Sequence, residues 1–107
     1  MTSSYSKYRN RKVTVDNVLF HSIHESERYR ELVMLQSAGL ISELELQPVY
    51  PLTVNNVKIG KYIADFRYLD TETGLYKIED AKGFSTQVYK LKKKLVRAIY
   101  NIEVMEV

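Results

Sequence analysis

Two aspartates and a lysine occupy two neighbouring segments that are predicted to be extended. In the segment LYKIEDAK, Asp80 and Lys82 share one face of the predicted strand, and Glu79 takes the other face, because side chains alternate along a strand. In the segment YIADFRY, Asp65 lies between apolar neighbours. Strand interiors disfavour aspartate, and burying a charge without a partner is costly. The pattern therefore indicates a chemical role for Asp65 and Asp80.

These residue types suit the hydrolysis of a phosphodiester, which needs an activated water and neutralised phosphate charge. A divalent ion supplies several of these requirements together, and Mg²⁺ prefers carboxylate and water oxygens. We expect Asp65 and Asp80 to ligate Mg²⁺, or Mn²⁺ in its place. Lys82 is expected to orient the attacking water or stabilise the transition state. Glu25, on the sheet-facing side of the first predicted helix, is expected to bind a metal-bound water or a second ion.

Simpler roles exist for the same residues. Asp80 and Lys82 could form a same-face ion pair, which contributes little if it is exposed. Glu25 follows Ser22 by three residues and could be the glutamate of a capping box. Glu79 is interpreted as an opposite-face residue rather than a ligand.

The register of the two strands decides whether the aspartates meet. A five-residue turn over 70–74 would place Asp65 opposite Glu79, with Asp80 one residue away. A bulge or a slip in register would then be needed to bring Asp65 and Asp80 together. The sequence leaves this register open.

The elements that must position these residues follow a simple order. The sequence predicts a basic flexible arm over residues 1–12 and a single domain over 13–107. An N-terminal hairpin is predicted first, with its turn at Asp16-Asn17. Three strands are expected to form an antiparallel meander, and the terminal strand is expected to run parallel to the third, after a crossover helix capped by Ser85. The predicted bounds are hairpin 13–20, helix 22–38, strands 43–54, 58–69 and 75–82, helix 86–100 and strand 102–107.

This arrangement resembles the PD-(D/E)xK nuclease superfamily, in which an acidic residue on one strand precedes a (D/E)-x-K motif on the next. The matching residues are Asp65, then Asp80-Ala81-Lys82, with Glu25 as the helix glutamate. The resemblance implies an α/β fold with a restriction-endonuclease-like αβββαβ core, a mixed central sheet flanked by two helices. It also implies the Ala81 carbonyl as a third metal ligand. Ala64 stands where the motif's name expects proline.

More narrowly, five segments resemble a family of small phage and prophage proteins described as endonucleases. That family is similar in layout to Holliday-junction resolvases and to transposon-encoded end-cleaving nucleases. The resemblance covers about residues 8–107 and implies a DNA substrate, branched DNA included, and the cytoplasm of a bacterial host cell. The segments are FHSIHESERY, ELELQPVYPL, YIADFRY, IEDAKG and VYKLKKKL.

Positive charge is concentrated in two blocks of a chain whose net charge is only +3. Neither residues 1–12 nor residues 90–97 contain an acidic residue, which indicates a polyanionic partner such as DNA. The alternative is a solvated helix face and an unstructured tail. The expected contacts to nucleic acid are Arg9, Arg11, Lys90, Lys94 and Arg97.

Composition excludes several other classes of function. The absence of cysteine removes disulfides, a thiol nucleophile and thiolate zinc sites. No apolar run approaches the roughly 18 residues that span a bilayer, and the N-terminus lacks a signal peptide's apolar stretch. We therefore expect a soluble intracellular protein with no membrane partner. A homodimer is compatible with one site per subunit cutting one strand. A non-catalytic nucleic-acid-binding module and a structural phage protein remain the alternatives.

Overall fold

The computed structural model of the protein describes residues 12–81 and 86–107. Within these ranges the chain forms two helices and eight strands, a mixed α/β fold. The predictions for Arg9, Arg11 and Lys82 fall outside the described residues. In chain order the elements are β1 (Val13–Val15), β2 (Val18–Phe20), α1 (Ile23–Ser37), β3 (Ile41–Leu46), β4 (Val49–Val54), β5 (Val57–Ile63), β6 (Phe66–Asp70), β7 (Leu75–Asp80), α2 (Gln87–Tyr100) and β8 (Val104–Glu106).

A mixed four-stranded sheet, in the order β3-β6-β7-β8, forms the centre of the fold. β6 runs antiparallel to both β3 and β7, whereas β8 runs parallel to β7. The parallel pair follows from the α2 crossover, which returns the chain in the same direction. The predicted meander and the parallel terminal strand are both confirmed.

Two tight hairpins depend on residues with left-handed backbone. Asp16 and Asn17 join β1 to β2 with φ of 52° and 64°, and Asn55 and Asn56 join β4 to β5 with φ of 50° and 65°. Aspartate and asparagine tolerate this conformation, and two such residues in succession give the turn that matches the twist of a hairpin. The turn predicted at Asp16-Asn17 is confirmed.

Helix α1 is capped at both ends as its sequence predicts. The Ser22 hydroxyl accepts a hydrogen bond from the Glu25 N–H at 3.1 Å. At the other end Gly39 takes φ 81°, and the Leu40 N–H donates to the Leu35 carbonyl at 3.0 Å. This closing pattern satisfies helix carbonyls that would otherwise lack partners.

Helix α2 begins one residue later than its predicted cap. Thr86, not Ser85, is the N-cap, and its side chain accepts from the Tyr89 N–H at 3.1 Å. Asn101 ends the helix in the left-handed conformation, with φ 57°. A threonine oxygen satisfies a first-turn N–H as serine would, so the sequence offered two equivalent caps.

The central sheet separates two apolar clusters. The cluster beside α1 comprises Phe20, Leu32, Ile41, Phe66 and Tyr68. The cluster beside α2 comprises Tyr50, Leu52, Tyr62, Ala64, Ile78, Val96 and Val104. Burial of each large apolar side chain contributes roughly 1.5–3 kcal/mol, so both faces of the sheet help to hold its strands in place.

No helix within residues 12–81 and 86–107 has the length and apolar character needed to cross a membrane.

Candidate metal centre

Asp65 lies at a kink between two strands, not in the middle of one strand as predicted. The long strands predicted over 43–54 and 58–69 are each broken, at Gln47-Pro48 and at Ala64-Asp65. Hydrogen bonding continues across the kink, because the Gln47 N–H donates to the Asp65 carbonyl at 2.9 Å and the Ala64 N–H to the Pro48 carbonyl at 3.1 Å. Proline has no N–H to give a regular ladder, and Gln47 adopts a positive φ of 54° beside it.

The register between β6 and β7 brings Asp65 to Asp80. Phe66 pairs with Glu79 and Asp70 pairs with Leu75, so the register differs by one residue from the Asp65–Glu79 pairing that a five-residue turn would give. This is the slip in register that the sequence left open. The reason is the turn. Asp70 belongs to β6, and its side chain accepts from the Glu72 N–H at 3.0 Å, which leaves four residues in the loop instead of five.

Each aspartate carboxylate accepts a hydrogen bond from the other strand. The Asp65 N–H donates to Asp80 Oδ1 at 3.0 Å and also to the Glu79 carbonyl at 3.1 Å. The Ala81 N–H donates to Asp65 Oδ2 at 2.7 Å. These bonds take the place of regular strand-to-strand hydrogen bonds one residue beyond Phe66–Glu79, the last regular pair of β6 and β7. The two carboxylates are therefore held together at the point where β6 and β7 part.

The two aspartates differ in exposure. Asp80 is completely buried, and it shares a strand face with Ile78 of the α2-side cluster. Asp65 is half-buried at the kink. The pair thus combines one buried carboxylate with one half-buried carboxylate. A ligand in solvent can approach the pair from the side of Asp65.

Helix α2 contributes a tyrosine that the sequence interpretation missed. Burial and the nearby negative charges of Asp80 and Glu106 raise the pKa of Tyr89. Glu106 is itself the partner of Asp80 in the parallel β7–β8 pairing. A hydrogen bond with Lys93, at 3.1 Å, is the main cause that lowers the pKa of Glu106. In the sequence, the only indication of this role was that Tyr89 lies in the first turn of the predicted helix that follows the strand carrying Asp80.

Glu25 lies at the same end of the sheet. It is buried in the first turn of α1, and its Oε1 accepts from the His21 N–H at 3.2 Å. His24 Nε2 lies 2.6 Å from the Val107 carbonyl, and the Val107 N–H donates to the Asp80 carbonyl at 3.0 Å. This chain of contacts fixes the helix start to the strand end that carries Asp80. The Ser22 hydroxyl accepts the Glu25 backbone N–H, which confirms the serine half of the predicted capping box.

Glu79 points away from the aspartate pair, as the strand alternation predicts. Its carboxylate is fully buried and accepts from Arg28 Nε at 2.7 Å and from Arg28 Nη2 at 2.6 Å. The Tyr68 hydroxyl donates to the same carboxylate at 2.5 Å. The hydrogen bond with Glu79 raises the pKa of Arg28, so this side chain stays charged. With Glu79 committed to Arg28 and Tyr68, Asp80 is the acidic residue of the motif that faces Asp65.

The basic residues of α2 fall into two groups. Lys90 and Lys94 are exposed on the helix surface. Arg97 is also exposed, but it forms an ion pair with Glu103 at 2.8 Å. Lys93 forms an ion pair with Glu106 at 3.1 Å. Within the predicted stripe, Lys90 and Lys94 are therefore exposed lysines, whereas Arg97 is paired with a carboxylate.

A protein-family model matches residues 5–105, and its description is "Protein of unknown function (DUF1064)". The chain belongs to the DUF1064 family. The matched range contains every acidic residue of the site in this DUF1064 protein, from Glu25 to Asp80. Neither a curated protein nor a solved structure matches the chain significantly.

The chemistry of the donors in this DUF1064 protein suits a hard divalent cation. Asp65 and Asp80 offer carboxylate oxygens, and the predicted Ala81 carbonyl ligand would add a third oxygen. Mg²⁺ commonly takes one or two carboxylates and completes its shell with water. Among residues 12–81 and 86–107, no group of three or more histidine, aspartate or glutamate side chains could hold a metal ion. The role of Glu25 toward the metal stays a prediction.

Proposed function

We propose that this DUF1064 protein is a Mg²⁺- or Mn²⁺-dependent deoxyribonuclease that cuts DNA phosphodiesters as an endonuclease. The observation that carries the proposal is the convergence of Asp65 and Asp80, each bonded to the backbone of the other strand. Two carboxylates drawn together in a largely buried setting repel each other, and a bound cation relieves that repulsion. A purely structural pair would be better served by neutral side chains.

The order of elements supports the same proposal. The chain from α1 to β8 contains a helix, a meander whose first two strands are kinked, a crossover helix and a parallel strand. This order is the one that the resemblance to the PD-(D/E)xK superfamily implies, and we assign the restriction-endonuclease-like core on that basis. Asp80, the first residue of the D-x-K motif, is the last residue of β7.

Each residue of the site has a separate role in hydrolysis. When bound, the divalent ion neutralises phosphate charge and lowers the pKa of a bound water. Asp65, Asp80 and the Ala81 carbonyl would hold the ion, with Asp80 buried and Asp65 half-buried. Lys82 orients the attacking water and stabilises negative charge that develops on the phosphate. Glu25 supports the site through a water.

DNA is held by the basic surface and not by the aspartates. Lys90 and Lys94 on α2 contact the phosphate backbone, with Arg97 beside them. Arg9 and Arg11 of the N-terminal arm extend this contact. We place the activity in the cytoplasm of a bacterial host cell, and a homodimer would present one site to each DNA strand.

The test is a cleavage assay on branched, nicked and linear duplexes with Mg²⁺, Mn²⁺ or EDTA. The wild type is compared with Lys82→Ala and with Asp70→Asn, a matched control at the far end of β6. Cutting that requires metal, disappears in Lys82→Ala and persists in Asp70→Asn supports the proposal. Cutting that survives Lys82→Ala indicates a contaminating nuclease, and no cutting with either metal refutes the proposed activity.

A DNA-binding module without cleavage is the second candidate, favoured by the exposed Lys90 and Lys94. It shares the basic surface but needs no metal. Under this alternative Asp65→Ala leaves DNA binding intact, and neither metal nor EDTA changes any measured property.

A further inference from the structure

A buried charged cluster lies on the α1 face of the sheet, on the opposite side from Asp80. Arg28 projects from the second turn of α1 and binds both carboxylate oxygens of Glu79, at 2.7 Å and 2.6 Å. Tyr68, from the neighbouring strand β6, donates to the same carboxylate. Three elements therefore meet at one fully buried glutamate, 51 residues away from its arginine in the chain.

The backbone of Glu79 connects this cluster to the aspartate pair. Its carbonyl accepts the Asp65 N–H at 3.1 Å, and the same N–H donates to Asp80 Oδ1. Asp80 and Ala81 follow directly in the chain. Any shift of the Glu79 backbone would therefore move both partners of the Asp65 N–H, together with the Ala81 N–H that holds Asp65 Oδ2.

The geometry of the cluster is suited to fixing that backbone. A bidentate guanidinium–carboxylate pair restricts direction as well as distance, because two parallel N–H···O bonds must form together. Glu79 is fully buried, so water cannot replace these bonds at low cost. The regular pairing of β6 with β7 ends at Phe66–Glu79, so Glu79 is the last regularly paired residue of β7 before Asp80.

We propose that Arg28 and Tyr68 are positioning residues that, by clamping Glu79, set the geometry of the Asp65–Asp80 pair for its metal ion. This inference rests on the proposed function for its metal, but the effect on the pair is a property of the metal-free protein. Outer-sphere partners of this kind typically change metal affinity or activity by about 10–100-fold when removed.

The first readout is amide exchange by NMR in the metal-free protein. Arg28→Met and Tyr68→Phe are compared with Glu31→Gln, which removes the other ion-pair partner of Arg28 on the surface. We expect the Asp65 and Ala81 amides to exchange about tenfold faster in both variants, and those of the distant Leu69–Tyr76 pair to be unchanged. Equal acceleration at all four amides would mean general destabilisation and would overturn the proposal.

The second readout is Mn²⁺ affinity by calorimetry, with DNA cleavage measured in parallel. Arg28→Met should weaken Mn²⁺ about tenfold, Arg28→Lys should recover only part of the loss, and Glu31→Gln should match the wild type. Tyr68→Phe removes one hydroxyl and serves if Arg28→Met does not fold. Unchanged affinity in folded Arg28→Met overturns the positioning role even if the wild type cuts DNA. Faster exchange at Asp65 and Ala81 in a protein that binds no metal would keep the positioning role and refute the proposed function.

Discussion

Asp65 and Ala81 close the end of the β6–β7 pairing, with the Ala81 N–H donating to Asp65 Oδ2 at 2.7 Å. The opposite bond, from the Asp65 N–H to Asp80 Oδ1, completes a reciprocal arrangement. Side chains here replace backbone pairing, so the strands can part while the Asp65 and Ala81 backbone N–H groups keep hydrogen-bond partners. The same exchange brings together the two carboxylates that the sequence places 15 residues apart.

The first prediction concerns activity. Asp80→Asn and Asp65→Asn each retain an oxygen that accepts the backbone hydrogen bond but remove a charged metal ligand. We expect metal-dependent cleavage to fall by at least about 100-fold, more than the loss caused by an outer-sphere partner. The measurement is the single-turnover rate on a duplex substrate at saturating Mg²⁺. Asp70→Asn, at the far end of β6, is the control. Near-wild-type rates in folded Asp80→Asn would contradict the assignment.

The second prediction concerns stability. Arg28→Met leaves the buried Glu79 carboxylate with only Tyr68 as a partner, and breaking a buried pair on one side costs about 3–5 kcal/mol. Urea unfolding should show a loss toward the lower end of that range, because Arg28 is 23% exposed. Glu31→Gln should stay within about 0.5 kcal/mol of the wild type, since Glu31 is exposed. Equal losses of unfolding free energy in the two variants would show that the buried Arg28–Glu79 pair stabilises the protein no more than the exposed Arg28–Glu31 pair does.

The third prediction concerns DNA binding. If Lys90 and Lys94 contact phosphates, each alanine substitution should reduce the slope of log affinity against log salt concentration by about 1. Lys77→Ala, on the opposite face of the sheet beside Asp70, should leave the slope unchanged. Fluorescence anisotropy over a series of salt concentrations, with EDTA present, measures all three variants. A uniform reduction that includes Lys77→Ala would indicate only a change in net charge.

The fourth prediction concerns pH. The pKa of Glu106 lies below its ordinary value of 4.5, mainly through its hydrogen bond with Lys93. Its contribution to stability is therefore present above the ordinary pKa and is lost as pH falls through the lowered value. Carbon-detected NMR titration should show the Glu106 pKa rising toward 4.5 in Lys93→Met. An unchanged titration midpoint would mean that the ion pair does not form in solution.

The sequence predicts much of the fold because local signals are strong in it. Ser22 and Gly39 mark the ends of α1, and the paired Asp-Asn and Asn-Asn turns mark two hairpins. The parallel β8 follows from the α2 crossover. The prolines of residues 43–54 are typical of either an edge strand or a bulged strand, so the sequence left open the kink that the structure has at Gln47-Pro48.

The pairing of Asp65 with Asp80 was harder to predict than the identity of either residue. Asp65 and Asp80 were recognised by type and neighbours, but their pairing depended on whether the turn after β6 holds four residues or five. A difference of one residue changes which side chains face each other along the whole strand pair. In the structure the Asp70 side chain bonds to the turn backbone and the loop holds four residues, but an aspartate at this position fits a loop of either length.

The Arg28–Glu79 pair shows a different limit. The residues are 51 positions apart, and nothing near either one signals the other. One clue was present. A glutamate on the inner face of a predicted central strand requires a buried partner, and an arginine one turn after Glu25 lies on a suitable face of the helix.

The most direct test of the central claim is a Mn²⁺ titration followed by electron paramagnetic resonance, which detects free Mn²⁺. The wild type and Asp70→Asn should remove free Mn²⁺ from solution with the same saturable affinity, whereas Asp65→Asn and Asp80→Asn should bind at least about tenfold more weakly. Binding by folded Asp80→Asn that equals the wild type, or no saturable binding by the wild type, would contradict a metal centre at Asp65 and Asp80.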